Sequence, residues 1–315
     1  MAYGPCGWRK GGRCGVKLFL FGAGYSARGV ATELANEAEW IGGTSRSDAQ
    51  LQTLPDYGIE PFRFGGRDDD VGSLPLGNVT HLLISVAPDA KGDPVLKAVG
   101  DTIRHHMPSL QWIGYFSTIG VYGDAEGGWI DETARRLASK KRGHERIAAE
   151  DGWSALGEEL DLPVAILRLA GIYGPGRNQM VKLAEGKARR IIKPGQVFNR
   201  IHVDDIAGAT AHVMRLKADG AWNVTDDEPA PPQDVIDYAA SLMGVEPPPA
   251  IDFESADLSP MARSFYGDNK RVSNAKLRQA GYRFRFPDYR SALDHLWQTD
   301  AWRGRGVLDA PRAMG

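Results

Sequence analysis

The chain has 315 residues, 42% hydrophobic and 25% charged, with a formal charge of −2. It is long enough to bury a large core, and its composition argues against a disordered chain. The balanced charge leaves no electrostatic footprint for nucleic acid or an anionic membrane, and no stretch approaches the roughly 20 apolar residues of a membrane span.

Residues 1–14 are rich in glycine and mixed in charge, and read as a disordered extension. They hold both cysteines, Cys6 and Cys14. The body of the chain therefore has no disulfide framework, which fits a reducing, cytoplasmic compartment. The histidines form no HExxH spacing and no metal is expected. From Val16 on, short apolar runs alternate with helical patterns. VKLFLF (16–21) reads as a buried strand and residues 25–38 as a helix. Further strands are expected at 39–45, 59–64, 79–86, 110–117 and 164–169, with helices at 95–106 and 137–160. Uniformly apolar strands separated by helices predict an α/β fold of Rossmann type, a doubly wound parallel sheet. Past Gly171 the texture changes to Gly, Pro and Asn. A hairpin is expected over Arg190–Val203 around Pro194-Gly195, then helices at 204–217 and up to Met243. This divides the body into a dinucleotide-binding half, 15–172, and a smaller substrate-binding half, 173–315.

The first strand runs into Gly22-Ala23-Gly24-Tyr25-Ser26-Ala27, a GxGxxA turn. Gly22 permits a tight strand-to-helix turn, Gly24 lets the backbone approach a pyrophosphate, and the small Ala27 lets the helix pack on the sheet. The helix start at Tyr25 and Ser26 offers amides and a favourable dipole to phosphates. The second strand ends Thr44-Ser45-Arg46 rather than in a carboxylate. Ser45 and Arg46 can donate to a ribose 2′-phosphate that Asp or Glu would repel, so NADP(H) is expected over NAD(H). Ser85, Val86 and Ala87 follow the fourth strand, where the loop is expected to pass the nicotinamide ribose.

FSTIGVYGD (116–124), DET (131–133), LRLAGIYGPGRN (167–178) and RIHVDDIA (200–207), taken with the glycine turn, resemble the extended short-chain dehydrogenases/reductases, the NAD(P)-dependent epimerase/dehydratase family. The resemblance implies a catalytic Ser/Thr at the end of the fifth strand, which falls on Thr118, and a YxxxK pair on the next helix. The matching frame there reads Arg142, Arg146 and Glu150, so both catalytic positions are arginine. Arginine stays protonated and cannot replace a tyrosine base. Arg146 can still donate to ribose hydroxyls, and Arg142 can polarise a carbonyl. Tyr122 and Tyr173 are reserve acids by position, while the literal YxxxK at Tyr266–Lys270 lies in the C-terminal half and reads as coincidence. Asp204 is expected to cap a helix, and Arg200 resembles positions that contact substrate phosphates in nucleotide-sugar relatives.

The resemblance thus implies an NADP(H)-dependent oxidoreductase or epimerase-like enzyme with an atypical acid/base, acting on a small-molecule substrate that is sugar- or nucleotide-linked among relatives. The alternative from another class is a non-catalytic NADP(H)-binding redox sensor or regulatory protein. Many relatives are homodimers, which makes a homodimer an option here, although residues 135–151 are unusually charged for a buried seam.

Overall fold

The computed structural model describes residues 15–66 and 68–304. The expectations on residues 1–14, Cys6 and Cys14 among them, lie outside this range. In chain order, β1 (Val16–Phe21), α1 (Tyr25–Leu34), β2 (Ala38–Ser45), α2 (Asp48–Thr53), β3 (Glu60–Arg63), β4 (His81–Ile84), α3 (Pro94–His106) and β5 (Trp112–Thr118) come first. β6 (Trp129–Ile130), α4 (Lys141–Leu160), β7 (Val164–Leu169), β8 (Gly171–Tyr173), α5 (Gln179–Ala184), β9 (Arg190–Ile192), β10 (Arg200–His202), α6 (Val203–Arg215) and β11 (Gly220–Val224) follow. The chain continues through α7 (Pro232–Met243), β12 (Ala250–Asp252), α8 (Pro260–Phe265), β13 (Arg271–Val272), α9 (Ala275–Gln279) and α10 (Tyr289–Gln298).

Seven strands form a parallel sheet in the order β11-β7-β5-β4-β1-β2-β3. Every residue of β4 and all but Lys17 of β1 are buried, so these strands are covered on both faces, as their largely apolar runs predicted. The order reverses between β1 and β4, the switch point at which such sheets bind ligands. Compact units do not follow a single cut at residue 172. One takes the chain up to Phe116 with Ala148–Ile166 and Thr210–Gly220; the other takes Ser117–Ile147, Leu167–Ala209 and the chain from Ala221 on.

In the first unit, Pro94 opens α3 behind Asp93, whose Oδ1 accepts from the amides of Val95 and Leu96 at 2.9 Å each. This cap satisfies donors that a bare helix start would leave unmatched. The fully buried Trp112 donates its indole N–H to the Ala218 carbonyl at 3.0 Å, so its one polar atom is matched.

Two expectations for the second unit are corrected. Pro194-Gly195 does turn, with Gly195 at φ +74°, but its flanking strands do not pair with each other. β9 pairs with β12 and β10 with β8, both in parallel. The intervening loop is held by the Asn269 side chain, which accepts from Val197 N at 3.1 Å and donates to Gly195 O at 2.9 Å. Asp204 stands inside α6 rather than at its cap. Its amide donates to Nδ1 of His202, at 3.2 Å, and this imidazole does the capping. Asp205 is the structural acid of the pair. Fully buried, it accepts from the Tyr282 hydroxyl and the Arg285 amide at 2.8 Å each, and from the Phe286 amide at 2.9 Å. Gly208 makes room for this arrangement, because a Cβ there would lie 2.5 Å from the Tyr282 oxygen.

Candidate functional site

The first unit contains the glycine turn. Gly22 leaves β1 at φ +85°, a left-handed conformation that favours glycine. A Cβ on Gly22 would lie 3.0 Å from Cγ2 of Val86 and 3.3 Å from the Ser85 carbonyl carbon. The turn and the Ser85-Val86-Ala87 loop are therefore in van der Waals contact, and Ser85 N donates to Phe21 O at 2.8 Å. Thr44 on β2 braces the turn from the other side. Its Oγ1 accepts from Gly22 N and its carbonyl from Ala23 N, both at 2.8 Å. Gly24 differs: its φ is an ordinary −84°, and a Cβ there would meet only Gly22 O at 4.0 Å. The space over Gly24 is open, and no side chain caps α1 behind it. Ala27 is fully buried against the sheet and Ser26 nearly so, while Tyr25 is partly exposed. An unobstructed backbone at an uncapped helix start fits the pyrophosphate of a dinucleotide.

The end of β2 sets the charge beside this cradle. Ser45 is buried; its hydroxyl donates to Gln50 Oε1 at 2.8 Å and accepts from Ser47 N at 3.2 Å, so it shapes the turn. Arg46 is exposed. Its carbonyl accepts from Arg63 Nη1 at 3.0 Å, and Arg63 also engages the Asp48 carboxylate. A third arginine, Arg28, donates from Nε to Ala23 O at 3.0 Å and lies 5.1 Å over the Tyr57 ring. Thr44, Arg28 and Arg63 escaped the sequence reading. Only pairing reveals Arg63, because it stands opposite Ser45 in the β2–β3 register.

In the second unit, Thr118 ends β5 and its Oγ1 accepts from Gly120 N at 3.1 Å, capping the tight turn Ile119–Tyr122. The hydroxyl proton is not used by that cap. Gly143 in the first turn of α4 brings the Arg142 segment against this turn: a Cβ there would lie 3.3 Å from Gly120 O. Arg142 is exposed and Arg146, one turn on, half-buried. Tyr122 is placed differently from a reserve acid. It is buried, donates to Asn223 Oδ1 at 2.7 Å, and accepts from Arg168 Nη1 at 2.9 Å with that guanidinium 4.9 Å over its ring. Burial pushes its phenol above the ordinary range despite the opposing pull of Arg168. With donor and acceptor both committed, its geometry is that of a packing residue. The literal YxxxK is likewise structural. Tyr266 packs its ring against Phe198 and Phe253, and buried Lys270 donates to Gly123 O at 2.5 Å.

Residues 259–296 match the family described as Domain of unknown function (DUF1731). A functionally unknown conserved protein from Silicibacter pomeroyi is 48% identical, with a TM-score of 0.83 over 90% of this chain and 99% of that one. A structure from Methylobacillus flagellatus, named for the NAD-dependent epimerase/dehydratases, is 26% identical, with a TM-score of 0.71 over 90% of this chain and 98% of its own. The human epimerase family protein SDR39U1, solved with NADPH, shares the fold at 15% identity, with a TM-score of 0.70 over 90% of this chain and 99% of its own. With its parallel seven-stranded sheet and its glycine turn after β1, the chain belongs to the NAD-dependent epimerase/dehydratase family, the extended short-chain dehydrogenases/reductases.

Proposed function

We propose that this is a cytoplasmic NADP(H)-dependent oxidoreductase or epimerase-like enzyme that works without the Tyr–Lys pair, on a small-molecule substrate that is sugar- or nucleotide-linked. One observation carries the reading. Gly22 has no room for a side chain, Gly24 faces open space, and the strand beside them ends in Ser45-Arg46 rather than in a carboxylate. The bound cofactor would supply or accept hydride. Gly22–Ser26 would receive its pyrophosphate, Arg46 its 2′-phosphate, Ser85–Ala87 its nicotinamide ribose, and Arg146 a ribose hydroxyl. Thr118 has a proton to donate and would orient the reacting oxygen. Arg142 would stabilise negative charge developing on that oxygen, with water delivering the proton.

The test is calorimetry with NADPH and NADH, followed by turnover on a broad carbonyl panel. Thr118→Val and Arg142→Ala should lower turnover far more than NADPH affinity, whereas Arg146→Ala should weaken both. The rate should lack the sharp pH dependence of a titrating tyrosine. The second reading, a non-catalytic NADP(H)-binding redox sensor, is favoured by arginine at both catalytic positions. NADPH binding without oxidation by any carbonyl of the panel would select it.

A further inference from the structure

Within the second unit, consecutive residues of the C-terminal segment reach both ends of the stretch between Thr118 and Arg142. Buried Lys270 donates to the Gly123 carbonyl, at the close of the tight turn that Thr118 caps. Asn269 holds the loop beyond it: its amide donates to Asp124 Oδ1 at 2.6 Å, and its carbonyl accepts from Ala125 N at 3.0 Å and Gly127 N at 2.9 Å. Arg271 and Val272 then pair with Trp129 and Ile130 of β6. At the far end, one oxygen of the Asp268 carboxylate accepts from Ser139 Oγ at 3.0 Å and the other from Lys140 Nζ at 2.6 Å. Lys140 opens α4, since its carbonyl accepts from Gly143 N at 2.9 Å and His144 N at 3.2 Å. Arg142 follows in the first turn. The two ends also meet, because a Cβ on Gly123 would lie 2.1 Å from Leu137 O.

We propose that Asp268 and Lys270 are positioning residues: from the C-terminal segment they fix both ends of the 118–142 stretch and so hold Thr118 and Arg142 at one spacing. The choice of groups supports this role. A buried ammonium costs several kcal/mol, which loop closure alone does not require, since a neutral amide can also donate to a carbonyl. A charged donor makes the stronger bond and pins Gly123 more tightly. Asp268 spends its two oxygens on adjacent residues, which fixes the direction in which the chain enters α4 as well as its distance. Both act through the backbone that carries Thr118 and Arg142, from 128 to 147 positions along the chain. The role rests on the proposed function, in which Thr118 orients the reacting oxygen and Arg142 stabilises its charge. Misplacing such groups by about 1 Å can cost about 100-fold in rate.

The experiment compares the full chain with Asp268→Ala, Asp268→Asn, Lys140→Met and Lys270→Met, at a temperature well below every melting transition. Turnover on the carbonyl panel, NADPH calorimetry and amide hydrogen exchange are read on each. In Asp268→Ala, Lys140→Met and Lys270→Met, kcat should fall about tenfold or more, with KM and NADPH affinity within about twofold of wild type. Asp268→Asn keeps an acceptor oxygen and should recover part of the loss. Amides of 119–124 and 139–146 should exchange faster in the three variants, and those of the first unit at the wild-type rate. If Lys270→Met does not fold, Lys140→Met, on a partly exposed side chain, carries the test together with Asp268→Ala. Wild-type kcat in Asp268→Ala would overturn the positioning role. So would parallel losses of kcat and NADPH affinity, which would assign these residues to the fold at large. A wild type without turnover on any carbonyl defeats the proposed function instead. Exchange then decides the clamp by itself, and unchanged protection at 119–124 and 139–146 would overturn it.

Discussion

Gly22→Ala and Gly24→Ala should separate what the two glycines of the turn do. At Gly22 the new methyl meets two penalties. A residue with a Cβ at φ +85° costs about 1–2 kcal/mol. The methyl would also sit 3.0 Å from Val86 Cγ2, 3.2 Å from Val86 N and 3.3 Å from the Ser85 carbonyl carbon. Two of these three neighbours are backbone atoms tied to β1 through Ser85 N and Phe21 O, so they give way only by moving the loop. Overpacking of this kind costs about 1–3 kcal/mol, and the sum is about 2–5 kcal/mol. Gly24 has φ −84° and open space, so alanine there should change stability by under about 0.5 kcal/mol. Its methyl would stand where the pyrophosphate approaches, and NADPH affinity should fall although the protein stays folded. Urea unfolding and NADPH calorimetry on both variants give the comparison. A Gly22→Ala protein as stable as the wild type would refute the steric argument, and a Gly24→Ala protein with full NADPH affinity would refute the placement of the cofactor.

Arg46→Asp should reverse or abolish a preference for NADPH over NADH, since a charge-assisted contact to a phosphate is worth about 1.5–3 kcal/mol; equal affinity of the wild type for both cofactors counts against Arg46. Tyr122→Phe should destabilise by about 1–3 kcal/mol, because it strips Arg168 and Asn223 of a buried partner. Its turnover should stay close to wild type, and a fall of about 100-fold or more would return Tyr122 to the acid/base role. His81 is buried and its pKa is lowered from 6.5 to about 4, by burial first and the Lys217 charge second. The unfolded chain therefore takes up this proton at higher pH than the folded one. Stability should be intact above pH 6.5 and drop by about 3 kcal/mol as pH falls through 6.5 to 4. Denaturant midpoints across that window should flatten in His81→Gln, and an equally steep decline in the variant would assign the effect to other groups.

Local patterns made much of the first unit legible. The apolar runs of β1 and β4 signal strands covered on both faces, and Gly22-Ala23-Gly24 marks the turn by residue type alone. The family resemblance alone sets Arg142 and Arg146 against the positions of a catalytic pair. What remained hidden depends on partners far along the chain. Tyr122 looks free at a strand end, and only folding brings Asn223 and Arg168 to its hydroxyl. Pro194-Gly195 does form a turn, but β8 and β12 compete successfully for its flanks. Asp204 and Asp205 are indistinguishable as letters, yet one sits half-exposed in the first turn and the other is fully enclosed by residues some eighty positions later.

That enclosure bears on the order in which the second unit is completed during synthesis. Asp205 enters the core early in the chain, but its three donors, Tyr282, Arg285 and Phe286, are among the last described residues to be made. A carboxylate buried without them carries a penalty of several kcal/mol. The full donor set for this acid at the start of α6 is therefore complete only once the chain has been made as far as Phe286. A chain terminated before residue 282 would be left with an unmatched negative charge in its core rather than a smaller stable domain. Residues 259–296 thus contain all three of these donors, and a chain without them should be destabilised, which urea unfolding of a truncated form would check.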